Sequence, residues 1–274
     1  MSLVDHKVMQ NGKLRSGHSV KISPLNEGFL YGHGLFETIK IVSGRPAFLS
    51  AHHARLTTSA HALDLPYQLP LDELRERLLT LSKANDLKNG SAKVTLFNDG
   101  DFLGELITVR AFTYSPETYA RGFRLKTRPT GRRIAGLTGH KTLNYLENIR
   151  ARRAAIAAGF DETLFIDTTG EAIEGAGTNL FIVRDGVALT PPLSSGPLPG
   201  IARAQVLALL SPNRAREAVI TAADLHTANE AFVTNALLGV MPVALIDTHT
   251  FPTVPGPFTG ELQTTYRTRE ARTL

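Results

Sequence analysis

One lysine in this chain stands where an amine could do covalent chemistry. The segment Gly139-His140-Lys141-Thr142-Leu143-Asn144-Tyr145 sets Lys141 between a glycine-containing loop and the start of a helix. Burial among Leu137, Thr138, Leu143 and Tyr145 would lower its pKa and leave a neutral amine able to form a Schiff base. Most lysines are solvated surface groups, so the residue does not decide this alone. A carboxylate follows at Glu174, between Ile173 and the small residues Gly175, Ala176 and Gly177. Small residues would let a flat ligand come close, and the carboxylate could hold a pyridinium proton. The plainer reading is a turn before a strand. A third segment, Leu198-Pro199-Gly200-Ile201-Ala202-Arg203, opens a helix whose first N–H groups could bind phosphate. Proline and glycine also precede helices that bind nothing.

Other chemistries are excluded. Gly32-x-Gly34 and Gly175-x-Gly177 each lack the third glycine of a dinucleotide fingerprint. There is no Walker loop and no nucleophile elbow. His52 and His53 are adjacent on an expected helix and diverge by about 100°, and no HExxH pattern supports them, so no metal site is expected. With no cysteine in 274 residues, a disulfide scaffold, a thiolate metal site, an iron–sulfur cluster and a cysteine nucleophile are all excluded. The formal charge is +5, from 30 basic and 25 acidic residues. Basic residues cluster between Arg121 and Arg133 and at Arg150, Arg152 and Arg153. Stacking aromatics are not interleaved with them, so a solvated face is expected rather than a nucleic-acid stripe. A positive field also suits an anionic cofactor or substrate. The first residues, Met1 to His6, hold no apolar core of signal-peptide length, and no apolar run approaches the roughly 18 residues that span a bilayer. A soluble, cytoplasmic protein without a membrane partner is expected.

The elements that must position these residues are short strands mixed with few helices. Strands are expected at Phe36 to Val42, Ala92 to Phe97, Glu105 to Tyr114, Phe123 to Thr127, Glu162 to Asp167, Glu230 to Thr234 and Val240 to Ile246. Asn98-Asp99-Gly100 joins two of them, and Arg184-Asp185-Gly186 turns a hairpin between Leu180–Val183 and Val187–Thr190. Helices are expected over Leu49 to Leu63, over Leu71, Leu74, Leu78 and Leu81 with a stop near Asn89-Gly90, over Asn144 to Ala158, and after Pro199-Gly200 to about Leu210. In the third of these, Leu146, Ile149 and Ile156 share one side and Gly159 is the stop. Such a pattern does not suit a doubly wound parallel sheet. Two α+β domains are expected, a smaller one over 1–117 and a larger one over 118–274, with Ser115-Pro116-Glu117-Thr118 as linker.

Taken together, the segments resemble the fold-type IV pyridoxal-phosphate-dependent enzymes, the class IV aminotransferase family. That family includes branched-chain aminotransferases, D-amino-acid transaminases and aminodeoxychorismate lyases. The resemblance covers nearly the whole chain. It begins at Tyr31-Gly32-His33-Gly34-Leu35-Phe36-Glu37-Thr38, where the family commonly has aspartate at the His33 position. It continues through Ala51-His52-His53-Ala54-Arg55-Leu56, the Lys141 and Glu174 segments, Gly200-Ile201-Ala202-Arg203, and Asn235-Ala236-Leu237-Leu238-Gly239-Val240-Met241-Pro242-Val243.

The resemblance implies a smaller N-terminal α/β sandwich, a larger C-terminal pseudo-barrel, a homodimer, and pyridoxal 5′-phosphate as cofactor. It implies that Lys141 carries the Schiff base and moves protons, and that Glu174 pairs with the pyridine nitrogen. Arg55 would hold the phosphate by a charge-assisted pair. Ile201 and Ala202 would donate backbone N–H groups to it, with Asn235-Ala236 adding a further turn. Tyr145 would line the cofactor, and Tyr31, Phe36 and Thr38 would face a small-molecule amino substrate. Within the family, Phe36-Glu37-Thr38, Thr142 to Asn148 and Asn235-Ala236-Leu237 are most similar to aminodeoxychorismate lyases. Thr38 matches a lyase hydroxyl at the reacting substrate, with Glu37 turned elsewhere by strand alternation. Asn98-Asp99-Gly100-Asp101 departs from that pattern, because it lacks the arginine- and glycine-rich stretch many lyases carry there. The expected reaction turns 4-amino-4-deoxychorismate into 4-aminobenzoate and pyruvate, a step of folate biosynthesis. The alternative is an aminotransferase for branched-chain or D-amino acids.

Overall fold

A computed structural model describes residues 6–100, 102–130 and 138–274. Met1 to Asp5, Asp101, Arg132, Arg133 and Leu137, which entered the sequence reading, lie outside the described residues. The chain forms two compact units. One holds the residues up to Thr113 with His140–Asn144 and Glu270–Leu274, and the other holds Tyr114–Gly139 with Tyr145–Arg269. The boundary drawn from sequence at 117/118 falls after this division, because the segment read as linker is folded. Ser115 caps a helix there, accepting from the Thr118 N–H.

The first unit is built from β1 (Lys7–Gln10), β2 (Lys13–Ser16), α1 (Glu27–Tyr31), β3 (Gly34–Val42), β4 (Arg45–Pro46), α2 (Leu49–Ala62), α3 (Leu71–Ala84), β5 (Gly90–Asn98) and β6 (Leu103–Ala111). Its sheet has six strands in the order β2-β1-β6-β5-β3-β4, and every pairing is antiparallel. Side chains alternate across such a sheet. Leu35, Ile39 and Ile41 of β3 and Ala92, Val94 and Leu96 of β5 are buried with Leu56, Leu74, Leu78 and Leu81 of α2 and α3. Each fully buried leucine there contributes about 1.5–3 kcal/mol. The opposite row carries Phe36, Thr38 and Lys40 beside Thr95, Lys93 and Ser91. The third helix ends at Ala84, earlier than the Asn89-Gly90 stop expected. Asp86 turns the chain at a φ of 50°, which sends Leu87 back into the core. Gly90 belongs instead to β5, paired with Ala111.

The second unit adds α4 (Pro116–Arg121), β7 (Phe123–Pro129), α5 (Leu146–Ala157), β8 (Glu162–Ile166), β9 (Ala172–Gly175), β10 (Asn179–Arg184), β11 (Val187–Thr190), α6 (Ile201–Leu209), β12 (Ala215–Glu217), α7 (Ala222–Thr227), β13 (Glu230–Asn235), β14 (Gly239–Ile246), β15 (His249–Thr250) and α8 (Pro257–Ala271). Nine strands make a mixed sheet in the order β12-β11-β10-β13-β14-β7-β8-β9, with β15 on β14. It curls into a half-barrel, as the resemblance implied. Leu164, Leu180, Ile182, Val233 and Met241 fill its core, and Phe181 stacks on Phe232 at 4.8 Å. One sequence reading is corrected here. On α5 the apolar side formed by Leu146, Ile149 and Ile156 is exposed, while Asn148, Ala151 and Ala155 are buried. Small residues let this helix lie close, and Ala151 packs with Phe165 of β8. No described helix is long and apolar enough to cross a membrane.

Candidate functional site

In the first unit Lys141 lies along β3. Phe36 N–H donates to the Lys141 carbonyl at 2.9 Å and Leu143 N–H to the Gly34 carbonyl at 3.0 Å. This stitching requires glycine at 34, since a Cβ there would lie 2.3 Å from the Leu96 carbonyl oxygen and 2.7 Å from Leu143 Cδ1. Lys141 is half-buried, and its Nζ sits 4.4 Å from the Phe36 ring centroid. A second lysine, Lys93, places its Nζ 4.3 Å from the same ring and pairs across the sheet with Thr38. The residue as a whole is exposed, yet the protein packed around its amine pushes its pKa below the ordinary lysine value. The sequence reading missed Lys93, because only the register of β3 against β5 sets it beside Thr38. Phe36, Thr38, Lys93 and Lys141 are thus brought together.

Tyr31 ends α1 and is 71% exposed. Gly32 caps that helix at a φ of 71°. His33 Nδ1 is 2.8 Å from Glu27 Oε2, and its Nε2 is 3.0 Å from the Leu63 carbonyl. Both ring nitrogens therefore face acceptors. The Leu63 carbonyl first, and then Glu27, raise its pKa.

Arg55 has a protein partner on the helix-facing side of the sheet. Its Nε and Nη2 donate to Glu37 Oε1 and Oε2, each at 2.7 Å. His52 Nδ1 lies 2.7 Å from Glu37 Oε2, and His52 and Glu37 are each 1% exposed. Burial alone would push the Glu37 carboxyl up. The His52 hydrogen bond and the Arg55 charge outweigh it and hold the group at about 2. His53 diverges as expected and meets the Leu69 carbonyl at 2.7 Å.

The second unit gathers the remaining residues around the turn after β9. Tyr145 Oη and Asn148 Nδ2 both donate to the Ala176 carbonyl, at 2.7 and 2.8 Å. Asn235 Nδ2 donates to the Gly177 carbonyl at 2.9 Å, while its Oδ1 accepts the Leu237 and Leu238 N–H groups. Ala236 follows in that turn, half-buried. Glu162, 2% exposed, lies beside the same turn, and burial pushes its carboxyl up. Glu174 Oε2 accepts the Leu198 N–H at 2.9 Å. Asn179 Nδ2 donates to the Leu198 carbonyl at 2.9 Å. Gly200 is the N-cap of α6, so the N–H groups of Ile201 and Ala202 open that helix. A Cβ on Gly200 would lie 1.9 Å from Asn179 Oδ1, and one on Gly175 would lie 2.1 Å from Thr178 Oγ1. Asn148, Glu162 and Asn179 had no signal in sequence, since each acts through a partner distant along the chain.

This donor set fits a flat heterocycle with a protonated nitrogen and a phosphate. A carboxylate for the ring nitrogen and a helix N-terminus offering backbone donors to the phosphate are what such a group requires. The chain belongs to the amino-transferase class IV family, whose model matches residues 34–246. It is 32% identical over 253 residues to a Methanocaldococcus jannaschii protein named for branched-chain-amino-acid aminotransferase activity, covering 88% of each chain. It is 29% identical over 276 residues to the aminodeoxychorismate lyase of Bacillus subtilis, covering 94% of this chain and 92% of that one. Among solved structures, it superposes with a TM-score of 0.85 on the branched-chain aminotransferase of the archaeon Thermoproteus uzoniensis, at 29% identity, covering 96% of this chain and 93% of that one. A further branched-chain amino acid aminotransferase, solved with pyridoxamine 5′-phosphate, superposes with a TM-score of 0.88 at 26% identity, covering 98% of this chain and 94% of that one.

Proposed function

We propose that this enzyme is a pyridoxal-phosphate-dependent lyase that converts 4-amino-4-deoxychorismate to 4-aminobenzoate and pyruvate. The observation that carries this reading within the family is Thr38, whose hydroxyl-bearing side chain shares a sheet row with Phe36 and stands opposite Lys93. The lyase of Bacillus subtilis supports it as a relative. When bound, pyridoxal phosphate supplies an aldehyde that takes up amines and a conjugated ring that accepts electrons. Lys141 would provide the amine that holds the cofactor and would carry the proton that must move. Glu174 keeps a proton on the ring nitrogen, with its Oε2 steadied by the Leu198 N–H. The Ile201 and Ala202 N–H groups, the Asn235-Ala236 turn and the Arg55 guanidinium hold the phosphate. Tyr145 lines the cofactor and is fixed by its bond to Ala176. Tyr31, Phe36 and Thr38 face the substrate, and Thr38 orients the proton transfer at the leaving enolpyruvyl side.

The homodimer belongs to the same proposal. Leu25, Phe29 and Leu30 are 81%, 72% and 47% exposed, and apolar side chains grouped in this way suit a second copy of the chain. An aminotransferase for branched-chain or D-amino acids is the second reading, supported by the 32% identical relative. Product analysis separates the two. The lyase forms 4-aminobenzoate from aminodeoxychorismate without any 2-oxo acid. Rapid amino transfer from an ordinary amino acid, with no 4-aminobenzoate formed, would give the decision to the aminotransferase.

A further inference from the structure

We infer that Glu37, braced by His52, is the positioning residue that aims the Arg55 guanidinium at the cofactor phosphate. The inference rests on the reading of Arg55 as a phosphate anchor. Glu37 occupies the one place in its row of β3 where an apolar residue is missing, between the buried Leu35 and Ile39. A carboxylate buried there is unfavourable unless it is paired and hydrogen-bonded. Apolar residues at such a place are commonly as stable as an ion pair or more so. Core stability alone therefore gives no reason for this group.

The geometry of the pair supplies one. Arginine has a long side chain with many rotamers, and its planar fork binds phosphate well only when correctly presented. Glu37 takes the edge of the fork that carries Nε and Nη2. Two parallel bonds fix both the reach and the plane of the guanidinium. His52 lies three residues before Arg55 on α2, so the two side chains share a helix face. His52 Nδ1 meets the same Oε2 that accepts from Nη2, which stops the carboxylate from rotating. The carboxyl is held at about 2, so the clamp stays ionised across any working pH.

The test titrates the full-length chain, freed of cofactor, with pyridoxal 5′-phosphate and with pyridoxal, which lacks the phosphate. The readout is the ratio of the two affinities, which a loss of general packing does not change selectively. Glu37→Gln is expected to weaken pyridoxal phosphate about tenfold, the scale of one charge-assisted hydrogen bond, with pyridoxal within about twofold. Arg55→Ala is expected to lower the ratio at least as far, and the double variant no further, because coupled residues are not additive. If Arg55→Ala leaves the ratio unchanged, the phosphate reading of Arg55 fails and this inference with it. If Arg55→Ala lowers the ratio while Glu37→Gln does not, the positioning role alone is overturned. Should Glu37→Gln fail to fold, Glu37→Asp keeps the charge but shortens the clamp. A lowered ratio in Glu37→Asp supports the inference, and the parent ratio overturns it.

Discussion

Replacing Gly200 by alanine should release the cofactor phosphate without loosening the backbone. Gly200 has a φ of −67° and a ψ of 136°, which any residue adopts. On backbone entropy alone, alanine there would stabilise the fold by about 0.4–1 kcal/mol. The added Cβ, however, would lie 1.9 Å from Asn179 Oδ1 and 3.1 Å from Asn179 Cγ. Asn179 cannot easily yield, because it is 5% exposed, pairs with Thr234 across the sheet and holds the Leu198 carbonyl at 2.9 Å. The start of α6 must therefore move by more than an ångström, and the Ile201 and Ala202 N–H groups move with it. Hydrogen bonds to charged groups are worth about 1.5–3 kcal/mol each, so losing two weakens phosphate binding by roughly a hundredfold or more. Spectrophotometric titration measures this, with pyridoxal as the phosphate-free control. Gly260→Ala is the structural control. Its Cβ would meet nothing within 4 Å, and in a helix interior it should stabilise the fold by about 0.5–1 kcal/mol. A Gly200→Ala protein that binds pyridoxal phosphate as tightly as its parent would refute the placement of the phosphate at this helix.

Two further outcomes are expected. Thr38→Val, nearly isosteric, should lower the rate of 4-aminobenzoate formation more than tenfold, or about 1.4 kcal/mol in barrier, with the cofactor spectrum intact; an unchanged rate removes the hydroxyl from the mechanism. His33 has a folded pKa raised above the ordinary 6.5, so its contribution to stability is complete below that pH and is lost as pH rises through the folded value. Melting temperatures across this range should fall with pH by more in the parent than in His33→Gln, and parallel curves would sink this.

The sequence shows most of the elements because their patterns are local. Alternation marks β3, β5 and β6, and three- and four-residue spacing marks α3. Other features needed the partner element. The side of α5 that bears Leu146 looks like a core face, yet Ala151 and Ala155 on the other side are buried. The hairpin of β1 and β2 carries an Asn11-Gly12 turn, a strong local hairpin signal, though its strands are only four residues each. The fifteen residues of α8 carry only a thin buried stripe, Phe258, Leu262 and Tyr266, and the glycine and threonines between them dilute the helical signal. Its start depends on Glu230, which accepts the Phe258 and Thr259 N–H groups, each at 2.9 Å. In the site, Lys141, Glu174 and Gly200 are legible through their neighbours in the chain. The Glu37 clamp and Lys93 are not, since strand register and sheet face decide them.

The central claim is that Lys141 is the residue joined to pyridoxal phosphate. Borohydride reduction of the protein with its cofactor, followed by peptide mapping, tests it most directly. The account predicts a single reduced label, on Lys141. A label on Lys93, whose amine approaches the same Phe36 ring, or on any other lysine, would contradict it.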